Sequence, residues 1–125
     1  MEHTEITPPT AIRIGETPHG RGVIAAESIA EDDLIEICPI LTLETGDASG
    51  LLEDYVVGLE GDAEGVVLML GYGGLYNHSD DPNAAYWTEA DDAYSFVARR
   101  DIEAGEEITI SYGEDWLAAR GGFAD

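Results

Sequence analysis

The sequence predicts a single, mainly β domain built from many short strands, with a few short helical insertions. Apolar runs of four to six residues recur along the whole chain, and several are rich in β-branched or aromatic residues. Most of these runs end at Gly, Pro or Asp, as strands commonly do. The 15 glycines are a high share for this length, and most of them separate the apolar runs. A chain of 125 residues suits one domain with a single core.

The elements are predicted from the N-terminus onward. Residues 1–10 are polar and are expected to form an extension, residues 11–120 the folded domain, and residues 121–125 a tail. Helical spacing of apolar residues predicts a helix over Leu51–Leu59, and a shorter helix is predicted over Asp115–Arg120 before a Gly-Gly stop. The predicted strands are Ala11–Ile14, Gly22–Ala26, Leu34–Cys38, Ile40–Leu43, Ala84–Thr88, Ala93–Ala98 and Glu107–Ser111.

The charge balance is strongly acidic. Five arginines, no lysine and 27 acidic residues give a formal net charge of −22. We expect no direct binding to nucleic acid, because phosphate contacts need Lys and Arg, and this chain has only five such residues. Two explanations remain: a surface that attracts a lysine-rich substrate, or adaptation to a high-salt cytoplasm. The halophilic explanation is favoured, since the acidic residues are spread over the chain and the screening length in molar salt is only about 3 Å.

Several other classes of protein are not expected. Cys38 is the only cysteine, which excludes an internal disulfide and a cysteine-rich zinc site and is typical of a reducing cytoplasm. No apolar run reaches the length of about 18 residues that a membrane span needs. The N-terminus lacks the basic and apolar segments of a signal peptide. We therefore expect a cytoplasmic protein without a membrane partner.

Three polar, glycine-containing segments are candidates for a functional site: His19–Ala25, Tyr76–Asn83 and Gly105–Gly113. Each of them alone is ordinary turn or hairpin sequence. His78 invites assignment as a metal ligand or a general base, but no second ligand has suitable spacing, so no metal is expected. A catalytic triad is not indicated either, because no Ser or Cys lies in a recognisable nucleophile turn.

Together and in this order, the three segments resemble the SET domain family of protein-lysine methyltransferases. The shared features are Gly-x-Gly-Val, Asn-His-Ser-x-x-Pro-Asn and Gly-Glu-Glu-Ile-Thr-Ile-Ser-Tyr-Gly, with a similar stretch over Ala98–Ala104 before the last one. The likeness covers about residues 11–119, and the chain is most similar to the compact viral-type members that consist of a SET domain alone. It implies a fold of small curved sheets around a C-terminal pseudoknot, where Asn77-His78 meets the final strand.

The resemblance also implies a cofactor and its contacts. S-adenosylmethionine would be the methyl donor for transfer to the side-chain amine of lysine in a protein, with a histone or other chromatin protein as one expectation. The cofactor-binding residues carried over from the family pattern are Gly20, Arg21, Gly22, Asn77, His78, Tyr112 and Trp116. Backbone groups of Arg21 and Gly22, the Asn77 side chain and the backbone of His78 would hold the cofactor, and the Trp116 ring would stack on adenine.

The substrate lysine would enter an aromatic channel from the opposite side. Tyr112 is the expected catalytic residue, placed near the transferring methyl group, and Tyr55, Tyr72 and Tyr76 would help to line the channel. An aromatic channel tolerates methylated ammonium through cation–π contact, while burial beside a positive sulfonium lowers the lysine pKa.

Departures from the family pattern leave alternatives open. Arg21 stands where an aromatic residue is common, Asp80 replaces a frequent cysteine, and no C-terminal cysteine cluster is present to support a lid. The channel would then be closed by residues 115–122 or by a second subunit, so a homodimer is one expectation. The alternatives are a catalytically weak SET-fold module that binds a peptide or the cofactor, and a methyltransferase with a non-protein or non-lysine substrate.

Overall fold

The computed structural model describes residues 9–44, 49–58, 65–90 and 92–111. Within them the chain forms nine strands and two short 3-10 turns, Gly50–Asp54 and Gly73–Leu75. The strands are β1 Ile12–Thr17, β2 Gly20–Ala25, β3 Leu34–Glu44, β4 Val56–Gly58, β5 Gly65–Met69, β6 Asn77–His78, β7 Ala84–Ala90, β8 Ala93–Ala98 and β9 Glu107–Ile110. No helix in these ranges is long and apolar enough to cross a membrane.

The strands form two sheets. One has the order β1-β2-β9-β6 and the other has the order β4-β5-β3-β8-β7. Neighbouring strands are antiparallel, except that β6 and β9 are parallel. Residues of both sheets contribute to one core, whose fully buried members include Val23, Val67, Phe96, Ile108 and Ile110. Because Ile108 and Ile110 alternate with Glu107 and Thr109, β9 has one face in the core and the other toward polar groups.

Strand β3 corrects the predicted break at Pro39. The sequence places a boundary between Leu34–Cys38 and Ile40–Leu43, because proline cannot donate a ladder hydrogen bond. The structure has one continuous strand, whose residues up to Pro39 pair with β8 and whose residues from Ile40 onward pair with β5. Pro39 therefore lies where the partner changes, so the missing N–H costs little.

The predicted helix over Leu51–Leu59 is wrong in its second half. A 3-10 turn covers Gly50–Asp54, and the chain then enters β4, which pairs with β5. The β-branched Val56 and Val57 favour extended structure, and sheet pairing decides against the helix. Strand β5 and the two-residue β6 were not predicted. The predicted helix over Asp115–Arg120 lies outside the described residues.

Candidate functional site

The site is built where β6 meets β9. Asn77 lies opposite Thr109 and His78 lies opposite Ile110 in the parallel register. The Ser79 N–H continues this pairing by donating to the Ile110 carbonyl over 3.0 Å. The second and third sequence motifs therefore meet directly, which confirms the predicted encounter of Asn77-His78 with the final strand.

The Asn77 side chain joins the first motif to this crossing. Its Nδ2 donates to Glu107 Oε2 over 2.8 Å and to the Arg21 carbonyl over 3.2 Å, and a longer contact of 3.5 Å reaches Thr17 Oγ1. One amide nitrogen thus contacts the three strands β1, β2 and β9. Among the predicted cofactor residues, the structure brings Asn77 and Arg21 into direct contact.

Gly22 makes this arrangement possible. A Cβ atom at this position would lie 2.7 Å from Asn77 Nδ2, 2.8 Å from Glu107 Oε2 and 2.9 Å from Thr17 Cγ2. Real Cβ atoms essentially never approach other heavy atoms so closely. A larger residue at this position would therefore displace the ends of the Asn77, Glu107 and Thr17 side chains, and glycine leaves their packing undisturbed.

Gly20 has a different role. Its φ of +94° lies in the region that favours glycine, and it ends the tight turn between β1 and β2 opposite Thr17. The Thr17 hydroxyl donates to the Gly20 carbonyl over 2.9 Å and accepts from the His19 N–H over 3.0 Å. The turn that presents Arg21 is thus held by its own hydrogen bonds.

The His78 ring faces away from open solvent. The residue is buried, and Nε2 lies 2.8 Å from Asp80 Oδ1, while the Asp80 side chain itself is exposed. The residue that replaces the family's frequent cysteine therefore anchors the neighbouring histidine ring. The predicted contact of His78 with the cofactor uses its backbone and stays a prediction.

Asn83 is a buried residue for which no role was predicted from the sequence. Its Nδ2 donates to the Glu107 carbonyl over 2.8 Å and to Glu106 Oε2 over 3.0 Å, and its Oδ1 accepts from the Thr109 N–H over 2.8 Å. The Asn83 side chain thus forms hydrogen bonds with the β9 backbone like those that a neighbouring strand would form. Its place at the end of the Asn-His-Ser-x-x-Pro-Asn motif indicated that Asn83 belongs to the site. The spacing of the motif did not reveal that the partner of Asn83 is the β9 backbone.

Glu107 is the second residue whose role was missed. Its Oε2 accepts from Asn77, and its Oε1 lies 3.2 Å from His19 Nδ1. The available signal was the alternation of β9, which separates Glu107 and Thr109 from the buried Ile108 and Ile110. The structure adds that this polar face is the one that meets Asn77.

The tyrosines predicted for the substrate channel have different surroundings. Tyr55 and Tyr72 are half-buried, and Tyr55 lies beside the Gly73–Leu75 turn. Tyr76 is 0% exposed, stacks on Phe96 with a ring-centroid distance of 4.6 Å and donates to Glu36 Oε1 over 2.8 Å. These contacts favour a structural role for Tyr76, whose place in the channel stays a prediction. Tyr112 and Trp116 lie outside the described residues.

A buried acidic group supports the loop that leads into β6. Burial raises the pKa of Glu36, against the effect of hydrogen bonds from the Tyr76 hydroxyl and the Tyr72 backbone. Burial, together with the nearby Glu36 charge, raises the pKa of the Cys38 thiol to about 12, and this thiol donates to the Leu70 carbonyl. The thiol therefore stays protonated and is no nucleophile at neutral pH.

In the described ranges, no group of three or more His, Cys, Asp or Glu residues is placed to hold a metal ion.

The convergence of the three segments on β9 agrees with comparison to known proteins. Residues 20–113 match the family model described as SET domain. The chain belongs to the SET domain family. The match lies within the domain predicted over residues 11–120, whose exact bounds stay a prediction.

Two curated SET proteins from fungi are similar in sequence. The Schizosaccharomyces pombe histone-lysine N-methyltransferase described as H3 lysine-37 specific is 35% identical over 102 residues, which cover 76% of this chain and 67% of that protein. The Aspergillus terreus histone-lysine N-methyltransferase set9 is 30% identical over 113 residues, which cover 86% of this chain and 18% of that protein. The match thus spans two thirds of one relative and less than a fifth of the other.

Solved SET structures share the fold. A Plasmodium falciparum protein described as a candidate histone methyltransferase gives a TM-score of 0.72 with 34% identity, covering 89% of this chain and 98% of that one. The Neurospora histone lysine methyltransferase DIM-5 gives a TM-score of 0.65 with 19% identity, covering 82% of this chain and 52% of that one, and supports the fold alone. The predicted family and the mainly β SET-type fold are confirmed. The C-terminal threading of the pseudoknot falls on residues outside the described ranges.

Proposed function

We propose that this SET domain is an S-adenosylmethionine-dependent protein-lysine N-methyltransferase whose substrate is a lysine-rich chromatin protein such as a histone. The observation that carries the proposal is the β6–β9 crossing. There, Asn77 contacts the Arg21 carbonyl and Glu107, and β9 leads to Ser111, directly before Tyr112. The functions named for the two fungal relatives support the same reaction class.

The described residues fit a ligand with a cationic amino-acid end. The Arg21 carbonyl and the Glu107 carboxylate both accept from Asn77 Nδ2, which leaves the Asn77 Oδ1 as the acceptor that suits an ammonium group. Gly22 allows this close approach, because a Cβ there would lie 2.7 Å from Asn77 Nδ2 and 2.8 Å from Glu107 Oε2. Arg21, Gly22, Asn77 and the His78 backbone would hold the cofactor from this side, and Trp116 would cover the adenine.

The bound cofactor would supply a methyl group that a positive sulfur already activates. The protein then has to align the lysine amine with that methyl group, and alignment alone contributes several kcal/mol, up to about 7–11 kcal/mol in ideal intramolecular cases. The channel tyrosines would exclude water and favour the neutral amine, whose usual pKa is about 10.4. The Tyr112 hydroxyl would orient this amine without acting as a general base.

Charge supports a basic substrate. The formal net charge of −22 favours the approach of a basic protein. Because the chain contains no lysine, the enzyme has no lysine side chain of its own to modify. Part of this acidity reflects the proposed adaptation to high salt. A lysine-rich protein would still be attracted at short range, where screening by salt is weakest.

The test is a transfer assay with tritium-labelled S-adenosylmethionine and purified core histones, run at low and at molar KCl. Label on lysine in a histone band is the expected result, and Tyr112→Phe should depress transfer far more than it weakens cofactor binding measured by calorimetry. Intact binding without any transfer to histones or to a lysine-rich extract would overturn the enzyme assignment in favour of a binding module. Sedimentation of the same preparation tests the proposed homodimer.

A further inference from the structure

The carboxylate of Glu107 is held between two side chains from different parts of the chain. Its Oε2 accepts from Asn77 Nδ2 over 2.8 Å, and its Oε1 lies 3.2 Å from His19 Nδ1. Although Glu107 starts a strand next to a turn, its side chain is only 16% exposed, while that of His19 is 45% exposed. Both carboxylate oxygens therefore have protein partners.

These contacts determine which way the Asn77 amide faces. A carboxylate and a backbone carbonyl only accept hydrogen bonds, and both lie at the same end of the amide. The amide nitrogen must point toward them, since an oxygen in that position would face two acceptors without a proton. The Asn77 Oδ1 is consequently directed away, and among the described residues it forms no hydrogen bond.

A fixed Oδ1 determines what kind of ligand group Asn77 can bind. An exposed carbonyl oxygen accepts from an ammonium, whereas a reversed amide would present two N–H donors and repel it. The acceptor-rich surroundings make the reversed amide unfavourable, because its oxygen would face the Glu107 carboxylate and the Arg21 carbonyl with no proton between them. Orientation is thus a property that Glu107 confers on Asn77.

We propose that Glu107 is a positioning residue, which locks the Asn77 amide so that its oxygen receives the α-ammonium of the cofactor, with His19 holding Glu107 in place. This inference rests on the proposed cofactor. The adjacent Glu106 is not equivalent, because its oxygens bond Asn83 Nδ2 and the Glu103 N–H and so serve the turn before β9. Glu107 is the acid of this pair that reaches the Asn77 site.

The test compares two ligands that differ in the amino-acid end that bears the α-ammonium. S-adenosylhomocysteine carries the α-ammonium, whereas 5′-methylthioadenosine keeps the adenosine and lacks the amino-acid chain. Binding of both is measured by calorimetry on the native protein, Glu107→Ala and Glu107→Gln. Glu103→Ala is the matched control, because it removes one exposed acid near the same strand.

The expected result is selective. Glu107→Ala should lower the affinity for S-adenosylhomocysteine roughly tenfold, which is equivalent to the loss of one charged hydrogen bond. The affinity for methylthioadenosine should stay within about twofold of the native value. Methylthioadenosine binding also reports that the variant is folded. Glu107→Gln should recover most of the affinity, because its amide oxygen can accept from Asn77 while its nitrogen donates to the His19 ring. Glu103→Ala should bind both ligands as the native protein does.

Other outcomes overturn the inference. Equal loss of both ligands in Glu107→Ala indicates a general structural role. A Glu107→Gln variant as weak as Glu107→Ala indicates direct charge attraction in place of amide orientation. If the native protein binds neither ligand, the cofactor assignment fails together with the inference. Selective binding without methyl transfer leaves the inference standing and overturns only the proposed reaction.

Discussion

Replacing Gly22 by alanine tests the geometry of the site with a single methyl group. The new Cβ would lie 2.7 Å from Asn77 Nδ2 and 2.8 Å from Glu107 Oε2, so both side chains have to move. The backbone conformation needs no change, because Gly22 is not among the residues with positive φ. The perturbation therefore falls on the Asn77–Glu107 contact and on the space beside it.

The size of the effect follows from overpacking. Forcing an extra methyl into a filled space costs about 1–3 kcal/mol. In the proposed cofactor complex Asn77 keeps its original place, so this cost would be subtracted from the binding free energy and would correspond to roughly 5- to 150-fold in affinity. We expect Gly22→Ala to lower the affinity for S-adenosylhomocysteine by a factor within that range.

Gly15 provides a matched control, because it lies directly opposite Gly22 in the β1–β2 register. A Cβ there would also be too close, at 2.7 Å from Ile24 Cδ1 and 2.9 Å from Arg13 Nη1, yet these are side-chain ends away from Asn77. Gly15→Ala should lower the melting temperature as Gly22→Ala does. Its affinity for S-adenosylhomocysteine should change by less than about twofold, within the usual error of additivity.

Calorimetry and thermal melting on the two variants decide the matter. The proposed role of Gly22 is refuted if Gly22→Ala binds S-adenosylhomocysteine with native affinity while remaining folded. It is also refuted if Gly15→Ala loses as much affinity as Gly22→Ala, because the effect would then belong to the β1–β2 hairpin as a whole.

Three further predictions concern stability. Asn83→Ala should lower the free energy of unfolding by about 2–4 kcal/mol, because it leaves the Thr109 N–H and the Glu107 carbonyl unpaired. Asn83→Asp should be no more stable than Asn83→Ala, because its carboxylate would face Glu106. Urea titration of both variants checks these expectations. Burial raises the pKa of Glu36, so the folded state holds this proton more tightly than the unfolded chain, and the contribution of Glu36 to stability is lost as pH rises through the raised pKa. The stability of Glu36→Gln relative to the native protein should therefore increase with pH, by about 1.4 kcal/mol for each unit by which the pKa is raised, and parallel pH profiles would contradict this. Molar KCl should raise the melting temperature strongly because of the net charge of −22, and a flat response would count against halophilic adaptation.

Much of the fold could be predicted because short apolar runs and glycine turns are local signals. The strands at Ala84–Thr88 and Ala93–Ala98 lie within β7 and β8. The errors arise where tertiary pairing decides. Val56–Gly58 continues a helical pattern in sequence, yet it becomes a strand because β5 offers a partner. Strand β6 has only two residues, and no local pattern marks so short a strand.

The candidate site was predictable at the level of motifs and not at the level of contacts. Asn77 and His78 were identified through the family resemblance, and their pairing with β9 follows the expectation. The roles of Asn83 and Glu107 were missed because both depend on partners that are more than 20 residues away in sequence. A turn asparagine and a strand glutamate have no distinctive sequence context, so only the register of β9 reveals their partners.

The register of β9 connects these two residues. Three neighbours hold β9: β2 pairs with it at Val23↔Ile108, β6 pairs with it on the other side, and the Asn83 side chain bonds the backbone of Glu107 and Thr109. A slip of one residue would turn Glu107 away from Asn77 and move Ile108 out of the core, because strand side chains alternate. Asn83 therefore acts on the site through the strand, although it contacts neither Asn77 nor Gly22 in any described hydrogen bond. This predicts that Asn83→Ala weakens S-adenosylhomocysteine binding in addition to stability, and that Glu107→Ala adds little further loss of affinity in the double variant.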